Sequence, residues 1–134
     1  MKVSVIIPVR NEELLIKKII DQLENELKNL PHEIIFINDF SADNTSKIIE
    51  EIIKTKDTIN LYENTKKGLG GAITEGINKA EGEAVCIMMS DLSDDIDDLK
   101  KYYNIIKMRK LTQYLDLDLL KGQKLLITPK KNLY

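Results

Sequence analysis

The sequence Val-Cys-Ile-Met-Met-Ser-Asp-Leu-Ser-Asp-Asp-Ile-Asp-Asp at residues 85–98 decides the fold, because an apolar run ends there in a cluster of carboxylates. The apolar residues 85–89 are typical of a strand that is buried on both faces, as in a parallel sheet. In open α/β sheets, ligands bind outside the carboxyl ends of the strands. Carboxylate oxygens at such a place suit Mg²⁺ or Mn²⁺ with a phosphorylated ligand. Asp91 follows the strand directly, and we predict a functional role for it.

The later aspartates of this stretch have a structural interpretation. Ser93 is a suitable N-cap residue for a following helix. Carboxylates in the first turn of a helix are favoured by the helix dipole. We prefer this interpretation for Asp94, Asp95, Asp97 and Asp98.

Composition narrows the class of protein. The 134 residues, 43% of them hydrophobic, are enough for one domain with a core. A formal net charge of -2 argues against a general nucleic-acid binder, so no nucleic acid is expected as a partner. The single cysteine, Cys86, lies in the apolar run and is predicted to be a buried thiol. No apolar stretch is long enough to span a membrane, and residues 1–9 do not form a signal peptide, so we expect a cytoplasmic protein.

Strand and helix patterns alternate along the chain. Short apolar runs at 3–7, 33–37, 59–62 and 85–89 predict strands, and residues with three- and four-residue apolar spacing follow each of them. This order predicts an α/β fold with a mostly parallel sheet and right-handed crossovers. Pro8 is predicted to end the first strand, Asn11 to cap the first helix, and Gly82 to end the third helix as its C′ residue.

Polar clusters follow three of the predicted strands, at residues 8–12, 38–45 and 89–95. Parallel strands place these clusters on one edge of the sheet, which predicts a ligand cleft for a cation or for sugar and ribose hydroxyls. The glycine-bearing segment 68–71 could let the backbone approach a phosphate before a helix N-terminus. A flexible entry into the helix explains these glycines equally well.

Four blocks of sequence carry a resemblance to a known family. They are Val-Ser-Val-Ile-Ile-Pro-Val-Arg-Asn-Glu (3–12), Glu-Ile-Ile-Phe-Ile-Asn-Asp-Phe-Ser-Ala-Asp-Asn-Thr (33–45), Asn-Thr-Lys-Lys-Gly-Leu-Gly-Gly-Ala-Ile (64–73) and Gly-Glu-Ala-Val-Cys-Ile-Met-Met-Ser-Asp-Leu-Ser-Asp-Asp (82–95). In this order and spacing they resemble the family 2 glycosyltransferases, above all the polyprenol-phosphate (dolichyl-phosphate) mannosyl- or glucosyltransferases. The resemblance covers roughly residues 2–108 and implies the nucleotide-sugar half of a GT-A fold.

The resemblance implies roles for particular residues in the first two blocks. Pro8, Arg10 and Glu12 match the motif Pro-x-Tyr-Asn-Glu, which frames the nucleotide base and ribose. Arg10 replaces the usual Tyr, and its guanidinium can still stack on a base. Ile37 and Asp39 match the motif Asp-Asp-Gly-Ser, in which Asp39 would bind the base, and Asn38 replaces the first Asp.

The fourth block matches the metal motif of the family. Ser90 and Asp91 match the last two positions of Asp-x-Asp, and Met89 replaces its first Asp. Ser93 falls where the family often has a further metal ligand. The resemblance therefore implies Mg²⁺ or Mn²⁺ bound by Asp91 and Ser93, with an ion that bridges the diphosphate and offsets the leaving-group charge. The loss of one carboxylate should weaken metal binding without abolishing it, because Mg²⁺ keeps waters and takes phosphate ligands.

The family pattern stops after Lys110, so we divide the chain into a nucleotide-sugar-binding part, 1–110, and an aberrant tail, 111–134. Codons can be chosen for Gln113 to Lys131 such that the frame starting at the third base of codon 113 encodes a plausible family continuation. This string is Val-Phe-Gly-Ser-Arg-Phe-Ile-Lys-Gly-Ser-Lys-Val-Ile-Asn-Tyr-Pro-Lys-Lys-Lys. We hypothesise that the tail is frameshifted and that the protein is truncated, with its C-terminal half missing or supplied by a partner chain.

Two functions follow from these observations. The first is transfer of a sugar from a nucleotide-diphosphate donor, of GDP-mannose or UDP-glucose type, to a polyprenyl or dolichyl phosphate at the membrane surface. The second is an inactive nucleotide-binding fragment, which Asn38, Met89 and the tail favour. An unrelated doubly wound domain, such as a flavodoxin-like binder, is a third option that the four ordered blocks disfavour. No catalytic base can be assigned, because the only histidine, His32, follows Pro31 and is predicted to lie at the surface.

Overall fold

The computed structural model describes residues 1–91, 96–114 and 125–127, over which strands and helices alternate. The strands are β1 (Val3–Val9), β2 (His32–Asn38), β3 (Ile59–Glu63), β4 (Ala84–Ile87) and β5 (Leu125–Ile127). The helices are α1 (Ile16–Leu27), α2 (Thr45–Ile53), α3 (Leu69–Lys79) and α4 (Ile96–Tyr114).

The strands form one sheet in the order β3-β2-β1-β4-β5, and every neighbouring pair is parallel. The central strand β1 is buried at all of its positions, as expected for a strand that is covered on both faces. Its β-branched residues suit a pleated surface that packs on both sides. The predicted α/β class with a mostly parallel sheet is confirmed.

The two faces of the sheet carry separate apolar clusters. Val3, Val5 and Ile7 point to one face and pack with residues of α1, α2 and α4. Ile6 points to the other face and packs with Ala72 of α3. Helices thus cover both faces, and the loops that follow the strands begin at the carboxyl edge of the sheet.

The connections from β1 to β4 agree with the predicted crossovers. The chain steps from β1 to β3 with α1 and α2 on one face, then steps back to β4 with α3 on the other. A change of direction together with a change of face gives all three crossovers the same hand. The sequence did not predict β5, which pairs with β4 as a further parallel strand.

Pro8 does not end the first strand, contrary to the prediction. β1 continues to Val9, and Pro8 is paired with Ile37 of β2. The carbonyl of Ile6 accepts a hydrogen bond from Met88 on the β4 side, and alternate residues of a parallel strand bond to the same side. The missing N–H of Pro8 therefore faces the β4 side beyond the last paired residue of β4, where no ladder bond is lost.

Two predicted helix boundaries are also wrong. Asn11 does not cap α1, because the helix begins at Ile16 and Asn11 has a left-handed backbone with φ 52°. Gly82 is not the C′ residue of α3, since the helix ends in the extended residue Ala80 and the φ of Gly82 is not positive. Gly82 instead packs so closely that an added Cβ would lie 2.6 Å from Ser4 Oγ.

Candidate active site at the carboxyl edge of the sheet

The carboxyl ends of β1, β2 and β4 lie at one edge of the sheet and bring the predicted polar loops together. Arg10 and Glu12 follow β1, while Ser90 and Asp91 follow β4. The hydroxyl of Ser90 is buried and donates a hydrogen bond of 3.2 Å to Glu12 Oε1, which joins the first loop to the last. Arg10 and Asp91 are exposed at the same edge.

Pro8 and Ile37 lie within the sheet, where they pair with each other across β1 and β2. Ile37 is fully buried, and its side chain belongs to the apolar cluster beneath α3. These two residues therefore belong to the sheet itself, and the polar residues of the site follow them along the chain. The roles in nucleotide-sugar binding that the resemblance gives to the seven predicted residues, Pro8, Arg10, Glu12, Ile37, Asp39, Ser90 and Asp91, stay predictions.

Asp39 is an anchored carboxylate at this edge. Its backbone N–H donates to the carbonyl of Val9 at 2.8 Å, and only 8% of the residue is exposed. Its Oδ1 accepts hydrogen bonds from Asn64 Nδ2 at 2.8 Å and from the N–H of Gly68 at 2.9 Å. No described residue donates a hydrogen bond to Oδ2. One oxygen therefore fixes the carboxylate, and the other can accept a bond from a ligand.

The pKa of Asp39 lies below its ordinary value. The hydrogen bond from the Gly68 N–H is the largest cause, and it outweighs the opposing effect of burial. The bond from Asn64 and the positive charges of Arg10 and Lys67 lower the pKa of Asp39 further. At neutral pH this side chain is a carboxylate and accepts hydrogen bonds without donating any.

Asn64 shapes the loop between β3 and α3. Its side-chain amide donates to the carbonyls of Lys66 (2.7 Å) and Gly68 (3.2 Å), and its Oδ1 accepts from the Lys66 N–H. Gly68 has a φ of 113°, a conformation that L side chains rarely adopt. An added Cβ at Gly71 would lie 1.9 Å from the carbonyl oxygen of Lys66, so the loop folds tightly over the start of α3. Specific bonds hold the loop, so a flexible helix entry does not explain these glycines; the approach of the backbone to a phosphate stays a prediction.

Side chains also join the loop after β1 to the loop after β2. The N–H of Asn11 donates to Ser41 Oγ at 3.0 Å, and Asn11 Oδ1 accepts from the N–H of Ala42 at 2.7 Å. The N–H of Glu12 donates to Thr45 Oγ1 at 2.8 Å. Two further bonds, from the Glu13 N–H to Asp43 Oδ2 and from the Asn44 N–H to Glu13 Oε2, complete the junction. The two loops thus form one unit whose shape is set before any ligand binds.

Asn38 has a local reason to be an amide. It is buried at the end of β2, and its Nδ2 donates a 2.7 Å hydrogen bond to Glu63 Oε2 while its Oδ1 accepts from the N–H of Ser41. An aspartate at this position would place a second carboxylate against Glu63, and like charges at this distance repel. The asparagine side chain accepts the hydrogen bond from the Ser41 N–H and also donates one to the Glu63 carboxylate.

The metal ligands predicted at this edge are partly described. Of the two predicted ligands, Asp91 is exposed after β4 and Ser93 lies outside the described residues. Ser90, next to Asp91, is hydrogen-bonded to Glu12. The helix-start interpretation of Ser93, Asp94 and Asp95 also falls outside the described residues. Among the described residues no three His, Cys, Asp or Glu side chains gather as a complete metal site. This donor set fits an ion that takes one or two carboxylates and completes its shell with water and ligand phosphates, as Mg²⁺ commonly does.

The sequence reasoning missed Asn64 and Glu63, which both contact the predicted site. They lie at the carboxyl end of β3, which carries polar residues as the ends of β1, β2 and β4 do. The rule that located Asp39 and Asp91 applies to β3 as well, so the position of Asn64 after an apolar run was a usable signal.

Comparison with known proteins agrees with this architecture. Residues 4–112 match the model of the family Glycosyl transferase family 2. The chain belongs to that family. It is 33% identical over 108 residues to the dolichol-phosphate mannosyltransferase of Pyrococcus furiosus, a match that covers 80% of this chain and 30% of the relative. The chain thus spans about a third of the length of such relatives.

Two solved structures share the fold. The structure of S. aureus TarS 1-349 in complex with UDP-GlcNAc superposes with a TM-score of 0.66 at 27% identity, covering 81% of this chain and 32% of that one. The mannosyltransferase PcManGT from Pyrobaculum calidifontis, in complex with GDP-Man and Mn²⁺, superposes with a TM-score of 0.60 at 28% identity, covering 66% and 27%. The sheet and helices described above are therefore part of a GT-A glycosyltransferase fold. None of the described helices is both long and apolar enough to cross a membrane.

Proposed function

We propose that this chain is the donor-binding part of a glycosyltransferase that transfers a sugar from a nucleotide-diphosphate donor, of GDP-mannose or UDP-glucose type, to a polyprenyl or dolichyl phosphate or a related acceptor. The observation that carries the proposal is the fixed Asp39 carboxylate. Its Oδ1 is held by Asn64 and Gly68, and its Oδ2 receives no bond from any described residue.

Base recognition follows from the chemistry of this carboxylate. An ionised aspartate accepts hydrogen bonds only, so it selects a base edge that carries an N–H donor. Uracil and guanine both present a ring N–H, which is consistent with either a UDP or a GDP donor. Arg10 lies close enough for its charge to lower the pKa of Asp39, and it can stack on the base or bind a phosphate.

The diphosphate would lie along the same edge, towards Asp91. Asp91 and Ser93 are the proposed ligands of Mg²⁺ or Mn²⁺, and the ion, when bound, would offset negative charge on the leaving diphosphate. Ser90, which precedes Asp91, donates a hydrogen bond to Glu12. In this arrangement the chain's own residues orient the donor, and the phosphates supply the remaining ligands of the ion.

The acceptor is proposed from the relatives. The Pyrococcus relative is named as a dolichol-phosphate mannosyltransferase, and a Proteus mirabilis relative, 33% identical over 104 residues, as an undecaprenyl-phosphate sugar transferase. A lipid phosphate acceptor requires the enzyme to work at a membrane surface. We therefore propose a cytoplasmic protein that associates peripherally with the membrane and is completed by a C-terminal half or by a partner chain.

A second candidate is a nucleotide-binding fragment without transferase activity. Met89, which stands where the metal motif has its first aspartate, and Asn38, which is hydrogen-bonded to Glu63 as an amide, favour it. The proposed aberrant tail at residues 111–134 would favour it further. Both candidates bind the nucleotide at Asp39, and they differ only in turnover.

Isothermal titration of the full chain with GDP and with UDP, each with Mn²⁺ and with EDTA, tests the proposal. We expect one nucleotide to bind, and to bind more weakly in EDTA because the phosphate end loses its ion. Asp39→Asn should weaken that binding at least about ten-fold, the usual cost of losing one charge-assisted hydrogen bond. Asp57→Asn changes an exposed carboxylate near the start of β3, at the opposite edge, and serves as the matched control.

Failure of both nucleotides to bind would refute the proposal. Release of GDP or UDP from the matching nucleotide sugar in the presence of a polyprenyl phosphate separates the two candidates. Binding with turnover supports the transferase, and binding without turnover supports the inactive fragment.

A further inference from the structure

Phe40 combines two features that do not stabilise the fold. Its φ is 57°, in the left-handed region that bulky residues rarely occupy, and 50% of the residue is exposed. Because half of the residue is exposed, the Phe40 ring contributes little hydrophobic free energy to folding. Its left-handed backbone makes folding less favourable. Such outliers concentrate at functional sites, where surrounding bonds hold them in place.

The bonds around Phe40 explain how this conformation persists. On one side the Asp39 N–H is fixed to the carbonyl of Val9. On the other, the Ser41 N–H donates to Asn38 Oδ1 at 3.2 Å, and Ser41 Oγ accepts from Asn11 at 3.0 Å. The backbone of Phe40 is therefore held between two anchored neighbours, and its ring is presented at the carboxyl edge of the sheet, next in sequence to the proposed base-binding carboxylate.

We infer that Phe40 is a base-contacting residue that packs its ring against the nucleobase of the donor. This inference rests on the proposed function, since it names a further contact of the same site. Flat apolar rings stack on any base, so Phe40 adds affinity for the base, and Asp39 selects its hydrogen-bonding edge.

Replacement of Phe40 with tryptophan gives a direct readout, because the chain contains no other tryptophan. We expect the emission of Phe40→Trp to change when UDP or GDP binds in Mn²⁺, and to stay constant with inorganic pyrophosphate, which has no base. Phe40→Asn removes the ring and keeps a residue that tolerates the left-handed backbone. We expect it to weaken nucleotide binding about ten-fold, within the range of one lost base–aromatic stack.

Leu14→Asn is the matched control, because Leu14 is an exposed apolar residue of the neighbouring loop. It should bind the nucleotide as the wild type does. The thermal unfolding midpoint of Phe40→Asn should not fall, since an exposed ring and backbone strain are removed. Unchanged affinity of Phe40→Asn, unchanged emission of Phe40→Trp, or a lowered unfolding midpoint that accompanies weaker binding would overturn the inference while leaving the proposed function intact. Failure of the wild type to bind either nucleotide would overturn both.

Discussion

A buried carboxylate at the amino edge of the sheet offers the sharpest test of how the fold is held. Glu33, at the start of β2, is only 4% exposed. Its Oε1 accepts hydrogen bonds from Ser4 Oγ of β1, from the Glu81 N–H at 2.8 Å and from the Gly82 N–H at 3.2 Å. Its Oε2 lies 3.4 Å from Lys2 Nζ. One side chain thus ties β2 to β1 and to the turn that precedes β4.

We predict that Glu33→Gln lowers the free energy of unfolding at pH 7 by about 2 kcal/mol. Glutamine keeps the size and the accepting oxygen, but a hydrogen bond to a neutral acceptor is worth about 1 kcal/mol less than one to a charged acceptor. Ser4 and the Glu81 N–H make the two closer bonds, and their losses add to about 2 kcal/mol. The Lys2 pair adds little, because Lys2 is 40% exposed and water screens it.

The pKa of Glu33 determines how the stability difference between the wild type and Glu33→Gln changes with pH. Burial alone would raise the pKa of Glu33, but the hydrogen bonds from Ser4 and Glu81 and the charge of Lys2 outweigh it, so the pKa is lowered. A lowered folded-state pKa contributes stability above the unfolded-state pKa of about 4.3, and that stability is lost as the pH falls through the folded value. The difference between wild type and Glu33→Gln should therefore be constant above about pH 5.5 and shrink in acid.

Urea denaturation from pH 7 down to pH 3 measures both effects. Glu81→Gln is the matched control: Glu81 Oε2 lies 3.5 Å from the same Lys2 Nζ, but its side chain is 79% exposed. We expect this variant to differ from the wild type by less than about 0.5 kcal/mol. Equal effects of the two variants, or a Glu33→Gln difference that persists unchanged at pH 3, would show that the buried bonds do not hold the edge as argued.

Three further predictions concern the carboxyl edge and the tail. Asn38→Asp should lower stability at pH 7 by about 1 kcal/mol, because the new carboxylate faces Glu63, and urea denaturation at pH 7 and pH 4 should show the loss shrinking in acid. Gly71→Ala should destabilise by about 1–3 kcal/mol through its clash with the loop carbonyl, whereas Gly70→Ala, whose Cβ would meet nothing within 4 Å, should raise the thermal unfolding midpoint. The nucleotide sequence of codons 113–131 should encode Gly-Ser-Arg in the frame that starts at the third base of codon 113; any other reading of that frame rejects the frameshift hypothesis.

The fold could be predicted because its signals are local. Each buried parallel strand is a short apolar run, and each covering helix has apolar residues at three- and four-residue spacing. The errors occurred where a tertiary contact overrides a local signal. A proline normally ends a strand, but the missing N–H of Pro8 faces the β4 side beyond the last pair of β1 with β4, where no ladder bond is lost. A glycine after a helical pattern normally ends the helix, but Gly82 instead allows close packing against Ser4.

The site could be predicted only in outline. Topology brought Glu12, Asp39 and Ser90 to one edge, because parallel strands share the direction of their carboxyl ends. The bonds that orient these side chains join residues far apart in sequence, such as Asn64 with Asp39 and Ser90 with Glu12. No periodicity encodes such pairs, since they depend on loop conformations that form only when the sheet is assembled. The left-handed backbone of Phe40 belongs to the same class, because its neighbours' bonds impose it.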